Sequence, residues 1–210
     1  MAGGLALDES TEALIARQWA ALAAPGTWLT GSERVAAAEL ARTARAAVAP
    51  STVDGAATLT GVVADAVARI AADPGAITEA WVTGLETAGM DRLTYVELLG
   101  VVARITAIDT LLFAVGAPLR PLPVPQEGEP TRTMPNGARL GRSWVPMTGP
   151  APALDALSAV PPEQGAQQEM AAALYIAAAD IGDRTLGREL GRVQMELVVC
   201  RTSLINHCFY

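Results

Sequence analysis

A chain of 210 residues, 51% apolar and only 4% aromatic, is long enough to bury a sizeable core without disulfides or metal, and its net charge of -7 disfavours a nucleic-acid partner. Every cationic side chain is an arginine. The missing lysine excludes a Walker A phosphate loop, a pyridoxal Schiff base and a lysine general base, and neither a GxSxG elbow nor a GxGxxG fingerprint occurs.

The apolar residues are mostly Ala, Leu and Val, with few β-branched runs, which predicts an all-α fold. The opening segment, MAGGLALDEST, is acidic where a secretory signal needs a basic flank, so the chain is expected to be unprocessed and cytoplasmic. A first helix is expected from about Ser10 to Ala24, ended by Pro25-Gly26, with Leu14 and Trp19 among its apolar positions. Thr30-Gly31-Ser32-Glu33 has capping-box spacing and opens an Ala-rich helix to about Ala49, which Pro50 closes.

Leu59, Val62, Val63, Ala66, Val67 and Ile70 recur at helical spacing, and Asp73-Pro74-Gly75 stops that helix before another begins near Ala76. Between Asp91 and Gly116, Leu98, Val101, Ile105, Ile108, Leu112 and Val115 form a further stripe. Its most apolar part, Val101 to Ala117, is interrupted by Arg104 and Asp109 and is too short to span a bilayer. It reads as a core helix in which those two charges pair, and no membrane association is expected.

From Pro118 to Pro152 the composition turns to Pro, Gly, Arg and Glu with no helical or alternating period, as a linker or extended arm does. Trp144-Val145-Pro146-Met147 is apolar enough to dock, although a loosely packed crossover is the simpler expectation. A second helical block starts near Pro162 and resumes after Gly182 or Thr185, where Leu186, Leu190, Val193, Leu197, Cys200 and Leu204 make a stripe at spacings of three and four. The expected organisation is an N-terminal helical block at 1–117, a linker at 118–152 and a C-terminal block at 153–210. Val101 to Phe113 also lines up with Val198 to Tyr210, pairing Arg104 with Arg201 and Ile108 with Ile205, as a degenerate internal repeat whose first copy lacks a thiol.

Cys200 and Cys208 are the two cysteines, too few for a disulfide framework. Cys200, within the apolar stripe, reads as a packing residue. Glu196, between Met195 and Leu197, reads by itself as a solvated helix residue. His207 is the single histidine, and with no other His or Cys cluster beside His207 and Cys208, no metal or other cofactor is expected.

The ending ELVVCRTSLINHCFY, Glu196 to Tyr210, resembles the first half of the thiol motif of the alkylhydroperoxidase D and carboxymuconolactone decarboxylase family. That motif is a glutamate, eleven residues, a cysteine, two residues, a second cysteine and a histidine four further on. Glu196 and Cys208 fit its first two members; Asn206 and Tyr210 match an asparagine and an aromatic common beside the cysteines. The match covers the last fifteen residues, with weaker support from TGSERVAAAELAR and the helical layout.

On one continuous helix, Glu196 and Cys208 would lie roughly 18 Å apart along the axis and about a third of a turn around it. The motif therefore requires a bend near Asn206, with Cys208 opening the next helix, where unpaired N–H groups and the helix dipole lower a thiol's pKa. The resemblance implies an alkylhydroperoxidase D-like bundle that reduces hydroperoxides with a dithiol donor and assembles into homo-oligomers. It makes Cys208 the resolving thiol, gives Glu196 a proton-shuttling role with the histidine, and leaves His207 and Tyr210 in support. The attacking residue would directly follow Tyr210. Either the 210 residues are a fragment or truncated product, or that residue is selenocysteine, whose UGA codon otherwise reads as stop. Two alternatives stay open: a carboxymuconolactone decarboxylase-like enzyme, and a non-catalytic helical oligomerisation module.

Overall fold

A computed structural model describes residues 5–46, 59, 61–141 and 143–205. Among them are eight α-helices and no strand beyond one isolated bridge between Arg139 and Met147. In chain order the helices are α1 (Glu9–Ala23), α2 (Gly31–Ala46), α3 (Gly61–Ala72), α4 (Glu79–Thr87), α5 (Arg92–Ala114), α6 (Pro152–Asp155), α7 (Pro161–Leu174) and α8 (Arg192–Ile205).

Side-chain caps fix where the helices start. Asp8 accepts from the Thr11 N–H (2.8 Å), Thr78 from Trp81 (3.2 Å) and Asp91 from Leu93 (2.7 Å). The expected capping box is formed reciprocally: Thr30 N–H donates to Glu33 Oε2 (2.8 Å), and Glu33 N–H donates to Thr30 Oγ1 (3.2 Å). Asp73-Pro74-Gly75 ends α3 as expected, but Pro74–Ala76 forms a 3₁₀ turn and the next helix waits for the Thr78 cap.

The bundle is built around α5, which packs against α1, α2, α3, α4 and α7. Its buried residues therefore surround the axis: Val96, Leu98, Val101 and Ile108 are all fully enclosed. One core cluster joins Leu22, Ala37, Val67, Val82 and Val101; a second joins Leu14, Ile15, Ile108, Leu112 and Met170. Because Met170 lies on α7, that helix shares the core of the helices at 1–117.

The segment between α5 and α6 is irregular but docked. Trp19 Nε1 donates to Pro121 O (2.8 Å), Gln126 N–H to Ala23 O (2.9 Å) and Thr131 N–H to Gly26 O (3.1 Å). Val145 and Met147 are buried in the main cluster, so the Trp144–Met147 stretch is a strap and not a loose crossover. The N–H groups of Gln126 and Thr131 find carbonyls at and just after the end of α1, Met147 N–H finds Arg139 O, and Trp144 O accepts from Arg92, which lets a segment without regular structure lie against a core.

Candidate functional site

Beyond α7 the chain changes character. Leu174 ends α7, an irregular stretch follows, and α8 starts after Gly191, whose N–H donates to the Gln194 side chain (2.9 Å). Two arginines hold the stretch together. Arg188 donates to the carbonyls of Ala172 and Ala173 at the end of α7 (2.6 Å each), satisfying groups that the helix leaves open. Arg192 donates from Nη1 to Asp183 O (3.1 Å) and from Nη2 to Ile181 O (3.0 Å).

The third acceptor of Arg192 is Glu196, one turn on, at 2.7 Å from Nε. Tyr175 Oη donates to the same carboxylate oxygen at 2.8 Å. The Tyr175 hydrogen bond, and behind it Arg192, hold the Glu196 carboxyl below its ordinary range. Partial desolvation and the same carboxylate push the Tyr175 phenol up. These residues line an open groove of about 570 Å3 with Ile181, Arg184 and Val193. The arrangement is an accessible, ionised carboxylate with a neutral phenol beside it.

Of the residues singled out by the motif, the structure places Glu196 half-buried on α8. Cys208, His207 and Tyr210, with Asn206, lie outside the described residues. Two expectations about neighbouring residues are corrected. Cys200 is exposed and not packed, because the whole α8 stripe faces outward: Val193 is 82% exposed and Leu197 70%. None of the residues of α8 is buried.

The second correction concerns charge. Arg104 and Asp109 do not pair with each other, being five residues apart and so on different sides of α5. Asp109 takes a bidentate contact from Arg42 (2.8 and 2.7 Å), and Arg104 donates to Glu163 (2.8 Å). That last bond belongs to a four-membered buried cluster. Arg34 bridges Glu97 and Glu163, the latter at 2.9 Å, and Glu97 also accepts from the Trp28 N–H (2.6 Å). All four side chains are at most 3% exposed.

Burial raises the Glu97 carboxyl against the pull of Arg34, and burial lowers Arg104 despite Glu163. For Arg34, burial works against the charge, but Glu163 and Glu97 together outweigh it. Two glycines make room for the cluster. A Cβ at Gly100 would lie 2.7 Å from the Glu163 side-chain carbons, and one at Gly26 would collide with the Glu97 carboxylate.

Neither Arg192 nor Tyr175 was singled out from the sequence; the i,i+4 spacing of Arg192 and Glu196 was a signal that could have found the first, whereas Tyr175, twenty-one residues from Glu196, gave none. No group of His, Cys, Asp or Glu among the described residues could hold a metal ion, and no helix among them is long and apolar enough to cross a membrane. No family model, curated protein or solved structure matches this chain.

Proposed function

We propose that α8 carries the first half of an alkylhydroperoxidase D-type thiol site, with Glu196 as the proton-handling carboxylate and Cys208 as the resolving thiol. The observation that carries this reading is the Tyr175–Glu196–Arg192 arrangement, which keeps a carboxylate ionised in an open groove twelve residues before Cys208. In the motif that this ending resembles, the attacking cysteine or selenocysteine stands three positions after the resolving thiol, and a histidine four further on.

In that reaction the attacking thiolate or selenolate takes the distal oxygen of the hydroperoxide, the O–O bond breaks and the alcohol leaves. Cys208 then attacks the oxidised sulfur or selenium, releasing water and forming a disulfide or selenenylsulfide. A dithiol donor restores both groups, and Glu196 with the histidine moves the protons. The protein would work in the cytoplasm as a homo-oligomer and without a bound cofactor.

The test compares hydroperoxide consumption, with a dithiol present, by the 210-residue chain and by a chain extended through the attacking residue and the histidine. Turnover is expected in the extended chain alone. Equal rates in the two would sink the reading.

The exposed apolar face of α8 supports a second reading, in which the polypeptide is a helical oligomerisation module without catalysis. A carboxymuconolactone decarboxylase-like activity needs no paired cysteines, and Cys208 beside an aromatic favours the peroxidase over it. An extended chain that forms oligomers yet leaves hydroperoxide untouched would favour the module.

A further inference from the structure

Away from α8, a groove of about 690 Å3 runs along α5, bounded by the ends of α2 and α3 and by the segment leading into α7. That volume falls in the range of sites for small organic ligands. Its two ends differ in chemistry. Thr106, Thr110 and Gln167 mark one end, and Arg45 joins them through a hydrogen bond from Nη2 to Thr110 Oγ1 (3.2 Å).

Eight to eleven residues back along α5, about 12–16 Å at the helical rise, the lining becomes Val102 and Leu99, and Leu154 and Leu157 line the groove as well. Gln164 fixes that wall by donating from Nε2 to Leu154 O (2.7 Å). The level is set by Glu163, which lies against Gly100 and so places the start of α7 beside the first half of α5.

Arg45 is the single ionisable residue among the described residues lining the groove, and it is exposed, with Nη2 on Thr110 Oγ1. A guanidinium offers a planar fork that matches a carboxylate. With no second cation among the described residues that line the groove, the site suits one negative charge better than a phosphate dianion. The apolar end removes hydrocarbon from water at about 0.8 kcal/mol per buried methylene, so a tail adds affinity the single ion pair cannot supply.

We infer that this groove binds an amphipathic monocarboxylate, its carboxylate on Arg45 and Thr110 and its hydrocarbon chain along Leu99, Val102 and Leu157. The inference rests on this groove alone and stands whether or not α8 is a thiol site.

The experiment is calorimetric titration of the 210-residue protein with decanoate below its micelle concentration, beside decanol and decyltrimethylammonium. One decanoate per chain is expected. Arg45→Gln should weaken it roughly tenfold or more, as loss of a charged hydrogen-bond donor does. Ala103→Trp, at an exposed position in the groove, should abolish it, and circular dichroism reports whether that variant folds. Should it not fold, Leu154→Glu, exposed at the apolar end, is expected to repel the ligand instead. No decanoate binding, binding indifferent to Arg45→Gln, undiminished binding by the folded groove variants, or equal affinity for the cationic surfactant would each overturn the proposal.

Discussion

Two glutamates held by arginine stand at opposite extremes in this protein. Glu163 lies in the bundle core with Arg34 and Arg104, all at most 3% exposed. Glu196 sits on α8 with Arg192, open to a groove. The pairing chemistry is the same, but the cost of breaking it is not. In the core each ion has left water and depends on its partners; three guanidinium nitrogens there, Arg34 Nε and Arg104 Nε and Nη1, already lack a protein acceptor. On α8 water can replace either partner, which leaves the carboxylate free to exchange protons.

The largest expected effect tests the core side of this contrast. Glu163→Gln keeps the shape and removes the charge that two arginines share, leaving Glu97 alone against both. Unfolding in urea should show a loss of about 3–5 kcal/mol, the usual cost of stranding a buried charge. A loss below about 1 kcal/mol would mean that water reaches the cluster and that the contrast with α8 is false.

A smaller effect separates burial from ion pairing. Burial raises the Tyr95 phenol to about 12, with no charged partner involved. A raised folded pKa gives stability that is complete below the unfolded value near 10 and is lost as pH rises toward 12. Relative to Tyr95→Phe, which cannot titrate, the natural chain should lose about 2 kcal/mol by pH 12 in parallel denaturation curves. Equal alkaline losses would show that the Tyr95 hydroxyl is hydrated in the folded state.

The sequence disclosed the helices because caps and apolar spacing are local signals. Thr30 with Glu33, the α3 stripe and the stop at Asp73-Pro74 each needed only neighbours within a turn or two. It did not disclose the cluster, since Arg34, Glu97 and Glu163 meet across 63 to 129 residues. A trace was present: Glu97, Gly100 and Arg104 follow helical spacing within a long apolar helix, where charges are expected only when paired. Cys200 and its stripe misled for the opposite reason. Periodicity identifies an apolar face but not what covers it, and α8 keeps that face exposed. Of the site, Glu196 alone was reached from the sequence; Arg192 stands one turn before it and was passed over, whereas Tyr175 depends on how the irregular stretch after α7 folds back.

The smallest expected effect on stability falls at the residue with the most chemistry assigned to it. Glu196→Gln keeps an acceptor for Tyr175 and Arg192 and removes the charge from a groove open to solvent, so thermal unfolding should shift by less than about 0.5 kcal/mol. In the extended chain the same substitution should slow hydroperoxide turnover, because an amide cannot take the proton. The pH dependence supplies a second, independent readout. Tyr175 and Arg192 hold the carboxyl below its ordinary range, so its ionised form persists as pH falls through the usual glutamate pKa near 4.3. The acid limb of turnover should therefore lie below that value and move up in Tyr175→Phe, which removes the leading hydrogen bond holding it down. An acid limb unmoved by Tyr175→Phe, together with unchanged turnover in Glu196→Gln, would assign the proton transfer to another group and leave the Tyr175–Glu196–Arg192 contact a structural tie between α8 and the stretch before it.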